Sequence, residues 1–417
     1  MTTCTVLTAA SALHDAAAVD AVVGAFRPQL AAAGVQLADT VEAADPTLPL
    51  AVFVLTGGSE RQVLQAWQAR QQLVPGEPLL LLTHPGQNSL PAALEVLARL
   101  QMDGARGRIV MLHVPLPTDP PNGPALRAAI HDMAVWHRLH RARLGVIGTP
   151  SEWLVASVPD ATAVQARWGI SLVHHELAAV MDRFVDNIEA PIAEPVRLRA
   201  RRHEGEPHPA DVETAGRFEP VLREVVAGSG YDAVTVRCFD LVTDAHTSGC
   251  LALSSLNDHG IVAGCEGDVA ATVALLWLRH LIGRIGWMAN PAAIDEDTGT
   301  IELAHCTVPL SLVESFELDT HFESGIGVGI NGHFAAGPVT VVRLGGRGLE
   351  HLWVADGQAL MTDPRHGRCR TQLDVVVPPE RAGELLRRPL GNHLVVLPGH
   401  HAHDIRQWWS MMVADAT

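Results

Sequence analysis

The sequence predicts an α/β protein of two Rossmann-like parallel-sheet domains followed by a C-terminal β-rich, barrel-like domain. Three observations predict it. Apolar runs of strand length alternate with longer helical segments, the order of a parallel sheet with helices on both faces. A turn-rich break, "DPPNGP" (119–124), interrupts that alternation, and a fresh strand opens at Leu144. From about residue 300 the runs become short, Gly-punctuated and rich in β formers, which suits an antiparallel barrel or sandwich. The divisions that follow are 1–143, 144–312 and 313–417.

Taken in order, "AAAVDAVVGAFRPQLAAAG" (16–34) is helical and ends on a glycine stop. "LPLAVFVLTGGSE" (48–60) is a buried strand closed by Gly57 and Gly58, without the GxGxxG or Walker pattern of a nucleotide site. Helix "RQVLQAWQARQQL", strand "PLLLLTHPG", helix "SLPAALEVLARLQMDG" and strand "RIVMLHVPL" complete the first domain's sheet. Helix "ALRAAIHDMAVWHRLHRAR" leads to "LGVIGTPSEWLVAS" (144–157), which opens the second domain. That domain continues through strands "AVTVRCF" and "GIVAGCE" and the helix "DVAATVALLWLRHLIG". The β-rich part comprises "TIELAHCTVPLSL", "GVGINGHFAAGPVTVVRLGG", "LEHLWVADGQAL" and "TQLDVVVPP". "GNHLVVLPGHHAHDIRQWWSMMV" then reads as a strand and a closing helix.

Composition narrows the function classes. Apolar residues make up 47% of the 417 and charged ones 18%, enough to bury sizeable cores. Thirty Lys and Arg against 46 Asp and Glu give a net charge of −16, which argues against a nucleic-acid or anionic-membrane partner. The N-terminal stretch has no basic n-region and contains Asp15 and Asp20, so it does not read as a signal peptide. No apolar run reaches the roughly 18–20 residues of a membrane span. Six cysteines without a CxxC read as reduced thiols, and the expected location is cytoplasmic. Twenty-two histidines prompt a search for metal ligands.

Polar residues at strand ends are the candidates for chemistry, because open parallel sheets place their ligands there. They are Arg237–Asp240, Cys265–Asp268, Ala304–Thr307, and a C-terminal group with His393, His400, His401 and His403. Glu266 lies at the end of the apolar strand "GIVAGCE", where an isolated charge is too costly to bury. It is therefore either paired with an arginine such as Arg237 or Arg343 or part of a site. Asp268 reads first as the N-cap of the helix behind it. His305 is either a hydrogen-bonded core histidine or a ligand, and His393 either a ligand or a turn residue. "PGHHAHD" reads as an exposed turn and helix start as readily as a metal site.

The ordered strings "CFDLVTDAHTSGCLALSSLNDHGIVAGCEGD", "WMANP" and "IDEDTGTIELAHCTVP" resemble the L-fucose/L-arabinose isomerase family, and within it the fucose isomerase-like branch. The resemblance is strong over about 144–345, extends to "GNHLVVLPGHH", and is weak over the first 140 residues. It implies a metal-dependent aldose–ketose isomerase, usually using Mn²⁺, with two α/β domains and a C-terminal β domain. It also implies a trimer or hexamer with active sites between subunits, acting on a monosaccharide or a modified one. It places Glu266 at the metal-binding catalytic carboxylate, His393 at the C-terminal metal-binding histidine, and His305 at a further ligand.

Where the family carries a second acidic ligand, this chain has Asn290 in "GWMANP". An amide can offer its carbonyl oxygen to a metal but is a poor acid or base, so proton transfer then falls to another group, such as Asp240, or to water. Substrate contacts are expected from His321, Glu323 and Ser324 in "THFESG", with His333 behind them. The rival readings are a sugar epimerase or lyase on the same fold, or a sugar-binding protein without turnover.

Overall fold

Continuous apolar runs become central strands here, because a strand covered on both faces has no polar side to present. The computed structural model describes residues 3–113, 123–186, 201–202 and 207–413. Two compact units result: Met1–Leu139 with Gln407–Thr417, and His140–Arg406.

In the first unit, β1 (Cys4–Ala9), α1 (Ala16–Ala32), β2 (Val35–Ala38), β3 (Leu50–Val54), α2 (Glu60–Leu73), β4 (Leu79–Thr83), α3 (Ser89–Met102), β5 (Gly107–Met111) and α4 (Pro124–Leu139) follow in order. Every strand pair is parallel, in the order β2-β1-β3-β4-β5. All five residues of β3 and of β4 are buried, as their unbroken apolar sequence requires. Val52, Val54, Leu79, Leu81, Ala93 and Val96 form a core between sheet and helices. Of "DPPNGP", residues 119–122 lie outside the described residues.

The second unit opens with β6 (Arg143–Ile147), α5 (Ala161–Trp168), β7 (Ser171–His175), α6 (Leu177–Asp186) and β8 (Arg201–Arg202). It continues with α7 (Pro209–Gly216), α8 (Phe218–Ser229), β9 (Ala233–Val236), α9 (Phe239–Ala245), α10 (Cys250–Asp258), β10 (Val262–Gly264) and α11 (Val269–Ile282). The parallel sheet runs β10-β9-β6-β7. Helix α11 is buried continuously from Val269 to Leu278, which explains its almost purely apolar sequence.

A closed antiparallel barrel follows, built from β11 (Trp287–Asp295), β12 (Thr300–His305), β15 (Gly337–Gly345), β16 (His351–Leu360), β17 (Thr371–Val376) and β18 (Leu394–Pro398). Between these lie β13 (Ser315–Asp319) and β14 (Gly329–His333), with helices α12 (Pro379–Arg387) and α13 (Ala402–Met412) near the end. Around the ring the order is β11-β12-β17-β16-β15-β18. Alternate residues fill its interior, among them Trp287 and Ala289, Ile301 and Leu303, Trp353 and Ala355, and Leu394 and Val396.

Two features depart from the sequence pattern. The barrel opens at Trp287, ahead of the change in texture near residue 300. The register of β11 shifts between Pro291 and Ala293, so its sequence lacks a clean alternation. "GVGINGH" stays out of the barrel, since β14 pairs with β13 in a separate three-stranded sheet that includes β8. All six cysteines are unbridged. Among the described residues no helix is long and apolar enough to cross a membrane.

Candidate metal centre

Strand β10 stops at Gly264 because α11 folds back tightly over it. A Cβ on Gly264 would lie 1.9 Å from Thr272 Oγ1. The chain then reverses through two left-handed residues, Glu266 at φ 62° and Gly267 at φ 72°. Glu266 is thus two residues beyond the strand, not its last residue as the apolar run suggests. Glycine accepts this conformation freely, whereas a glutamate there costs on the order of 1–2 kcal/mol. Such strain persists only where the surroundings over-determine it, and it concentrates at functional sites. The loop after β6 supplies the surroundings: Ser151 N donates to Glu266 O at 2.9 Å. A Cβ on Gly267 would lie 2.7 Å from Pro150 Cα.

Glu266 is buried, at 8% exposure, and Trp153 Nε1 donates to its Oε2 at 2.6 Å. Its Oε1 faces two histidines, His393 Nε2 at 3.4 Å and His305 Nε2 at 3.8 Å. The two rings lie 5.3 Å apart at 70°. One ligand atom from each of Glu266, His305 and His393 fits within a 4.8 Å group, and all three residues are buried. This is a donor set of the kind that holds a divalent metal. His393 shares the left-handed conformation of Glu266, at φ 62°.

Asp268 caps α11, its Oδ1 accepting from Ala271 N at 2.8 Å. The cap is only half of its role. Its Oδ2 accepts from His393 Nδ1 at 2.9 Å, orienting that imidazole. Arg343, completely buried, stands 3.6 Å from the same oxygen and donates to Ser157 Oγ, His393 O and Leu390 O. Arg343 therefore neutralises Asp268 and is not the partner of Glu266.

The electrostatics follow from burial and these neighbours. Burial pushes the Glu266 carboxyl up, but the two imidazoles outweigh it and hold the group well below the usual carboxylate range. Burial lowers His393, but its bond to Asp268 and the nearby Glu266 carboxylate prevail and raise it to about 9. For His305 burial wins and the ring is held below its ordinary value.

A cavity of about 380 Å³ opens on this group, lined by Trp153, Phe239, Glu266, Asn290, Glu323 and Asn392. That volume lies within the ~300–1,000 Å³ typical of small-molecule sites. Trp153 and Phe239 meet edge to face at 4.8 Å, and Phe239 meets His321 at 5.4 Å. Asn290, on β11 opposite Ala304, accepts from Asn392 Nδ2 at 2.6 Å. Burial, with His305 nearby, lowers His321 to about 4, and its Nδ1 lies 3.0 Å from Ser324 Oγ. Burial and then Glu266 raise the Glu323 carboxyl.

The sequence-derived candidates thus divide. Glu266, His305 and His393 come together, and Asn290 and Glu323 line the cavity they face. Asp240 is gripped by Arg237 Nε at 2.8 and 3.0 Å and is not among the lining residues. Arg237 also reaches Glu152 at 2.6 Å, so it is not the partner of Glu266. His400 and His401 bond Gly357 O and Pro398 O at the turn before α13, apart from the metal group. Trp153, Phe239 and Asn392 were missed, because nothing in residue type or spacing distinguishes them from ordinary loop and helix residues.

No family model matches this chain. It is similar to curated proteins named sulfoquinovose isomerase. Those of Priestia aryabhattai and Priestia megaterium are 23% identical over 233 residues, 52% of this chain and 50% of theirs. That of Alkalicoccus urumqiensis is 23% identical over 206 residues, 48% of this chain and 46% of its own. These relatives are isomerases. The chain spans about half the length of the curated relatives it matches.

Proposed function

We propose that this chain is a metal-dependent aldose–ketose isomerase acting on a monosaccharide or a modified one through an enediol intermediate. The observation that carries the reading is the buried Glu266–His305–His393 group facing a sugar-sized cavity. The similarity to isomerases supports it. So does His393 Nε2, a buried nitrogen without a hydrogen-bond partner that lies 3.4 Å from a carboxylate oxygen. A cation between the two satisfies both. Carboxylate and imidazole with open positions suit Mn²⁺.

A bound divalent cation would polarise the sugar carbonyl and stabilise the negative charge that develops on the oxygens at C1 and C2. The rest falls to the chain. Glu266 is ionised and can accept or return the proton that moves between C1 and C2, with Trp153 fixing one of its oxygens. Trp153 and Phe239 present apolar edges to the C–H face of a sugar. Asn290 and Asn392 offer amides to hydroxyl groups, Glu323 lines the same cavity, and His321, which meets Phe239 and bonds Ser324, is a further polar group beside it. Trp153, which lines the cavity, and Val155 and Val158 further along the same loop are exposed, which supports a homo-oligomer that completes the site between subunits.

The relatives' name puts sulfoquinovose on the substrate panel. The six lining residues of this chain include two carboxylates and no cation, so neutral aldoses belong there equally. Incubation in D₂O with Mn²⁺ and each sugar is expected to yield ketose labelled at the carbon that accepts the proton, and Glu266→Gln to abolish the label. Sugars that are bound without exchange would overturn the reading. The amide pair Asn290–Asn392, in place of a second carboxylate, favours epimerisation at C2 as the alternative. The same experiment distinguishes them, since an epimerase returns labelled aldose and no ketose.

A further inference from the structure

The two histidines at Glu266 are held in different tautomers. Asp268 Oδ2 can only accept, so the 2.9 Å contact places a proton on His393 Nδ1. That leaves the lone pair of a neutral His393 on Nε2, pointing at Glu266 Oε1. This is the carboxylate–histidine arrangement that supports a metal ligand. His305 is the reverse. The backbone N–H of Thr307 donates to its Nδ1 at 3.1 Å, so Nδ1 carries the lone pair and a neutral ring carries its proton on Nε2. Turning the ring over would set a C–H against the buried Thr307 amide and strand that donor, a loss of about 1–3 kcal/mol.

We propose that a cation at this site takes Glu266 and His393 as ligands, and that His305 stands outside the coordination shell as an Nε2–H donor facing the same space. The inference rests on the metal-dependent reading above and divides the three-residue group that chemistry alone would treat as equivalent. At 3.8 Å, His305 Nε2 is too far to hydrogen-bond Glu266 Oε1, so its N–H is left to donate to an oxygen of the substrate.

Protein labelled with ¹⁵N-histidine and loaded with Mn²⁺ alone is expected to show one directly coordinated imidazole nitrogen by electron–nuclear double resonance. In calorimetric titration with Mn²⁺, His305→Gln is expected to bind about as tightly as the unsubstituted protein, and His393→Gln, which loses a ligand, more weakly by at least the roughly 10–100-fold that the loss of an outer-shell partner costs. Two coordinated nitrogens, or equal losses in the two variants, would overturn the assignment while leaving metal dependence intact. Failure of the unsubstituted protein to take up Mn²⁺ would overturn both. The resonance measurement needs no substitution, so a variant that fails to fold does not blunt the test.

Discussion

Trp153 shows how one side chain links fold to chemistry. It hangs from the loop after β6, half exposed, yet its indole N–H meets a buried carboxylate at 2.6 Å. A hydrogen bond to a charged group contributes about 1.5–3 kcal/mol. Trp153→Phe keeps an aromatic edge against Phe239 and removes only the donor. The expected outcome is a fall in kcat/KM of roughly 10–100-fold, with a loss of stability of no more than about 1.5–3 kcal/mol, measured by steady-state kinetics and calorimetry. An unchanged kcat/KM would mean that Glu266 needs no such orientation.

At the scale of elements, two contacts hold the site's supports in place. Strand β10 and helix α11 approach so closely that only glycine fits at 264. Gly264→Ala is expected to cost about 1–3 kcal/mol in urea denaturation, and Thr272→Ala in the same chain to recover part of that loss. Asp356 ties strands β15 and β16 to the start of α13, accepting from Thr340 Oγ1 at 2.6 Å and from the amides of His401 and Ala402 at 3.0 Å. Burial pushes its carboxyl up, but these bonds prevail and hold it below its ordinary value. A depressed folded pKa gives a stabilising contribution that is present above the unfolded value, about 3.9, and is lost as pH falls through the folded one. Asp356→Asn is therefore expected to lower stability by about 1 kcal/mol at neutral pH, with the gap to the unsubstituted chain closing in acid denaturation below about pH 4.

For the whole molecule, every residue of the candidate site belongs to the unit His140–Arg406, and the unit that begins at Met1 has its own parallel sheet and core. A ligand that binds only the folded form stabilises it by RT ln(1 + [L]/Kd), about 2.7 kcal/mol at a hundredfold excess over Kd. Hydrogen exchange with and without Mn²⁺ is expected to show added protection around 262–268 and 390–396 and none in the first unit's sheet. Uniform protection throughout, or none, would contradict binding at Glu266 and His393.

What the sequence determined by itself is the part written in local pattern. Unbroken apolar runs require strands covered on both faces, so β3, β4 and the α/β alternation were legible. Gly-punctuated β runs required an antiparallel end, and Asp268 before an apolar helix required a cap. Glu266 and the two histidines could be singled out as chemical types in costly places. Tertiary structure alone decided the rest, because it depends on residues distant in the chain that meet at one point. Only the fold sets Asp268 against His393 and Arg343, and Arg237 against Glu152. Only the fold brings Trp153 and Asn392 to the cavity of Glu266, and recruits β11 to the barrel despite its broken alternation. Pattern speaks for neighbours within a turn or a strand; hydrogen-bond partners more than a hundred residues apart leave no mark on it.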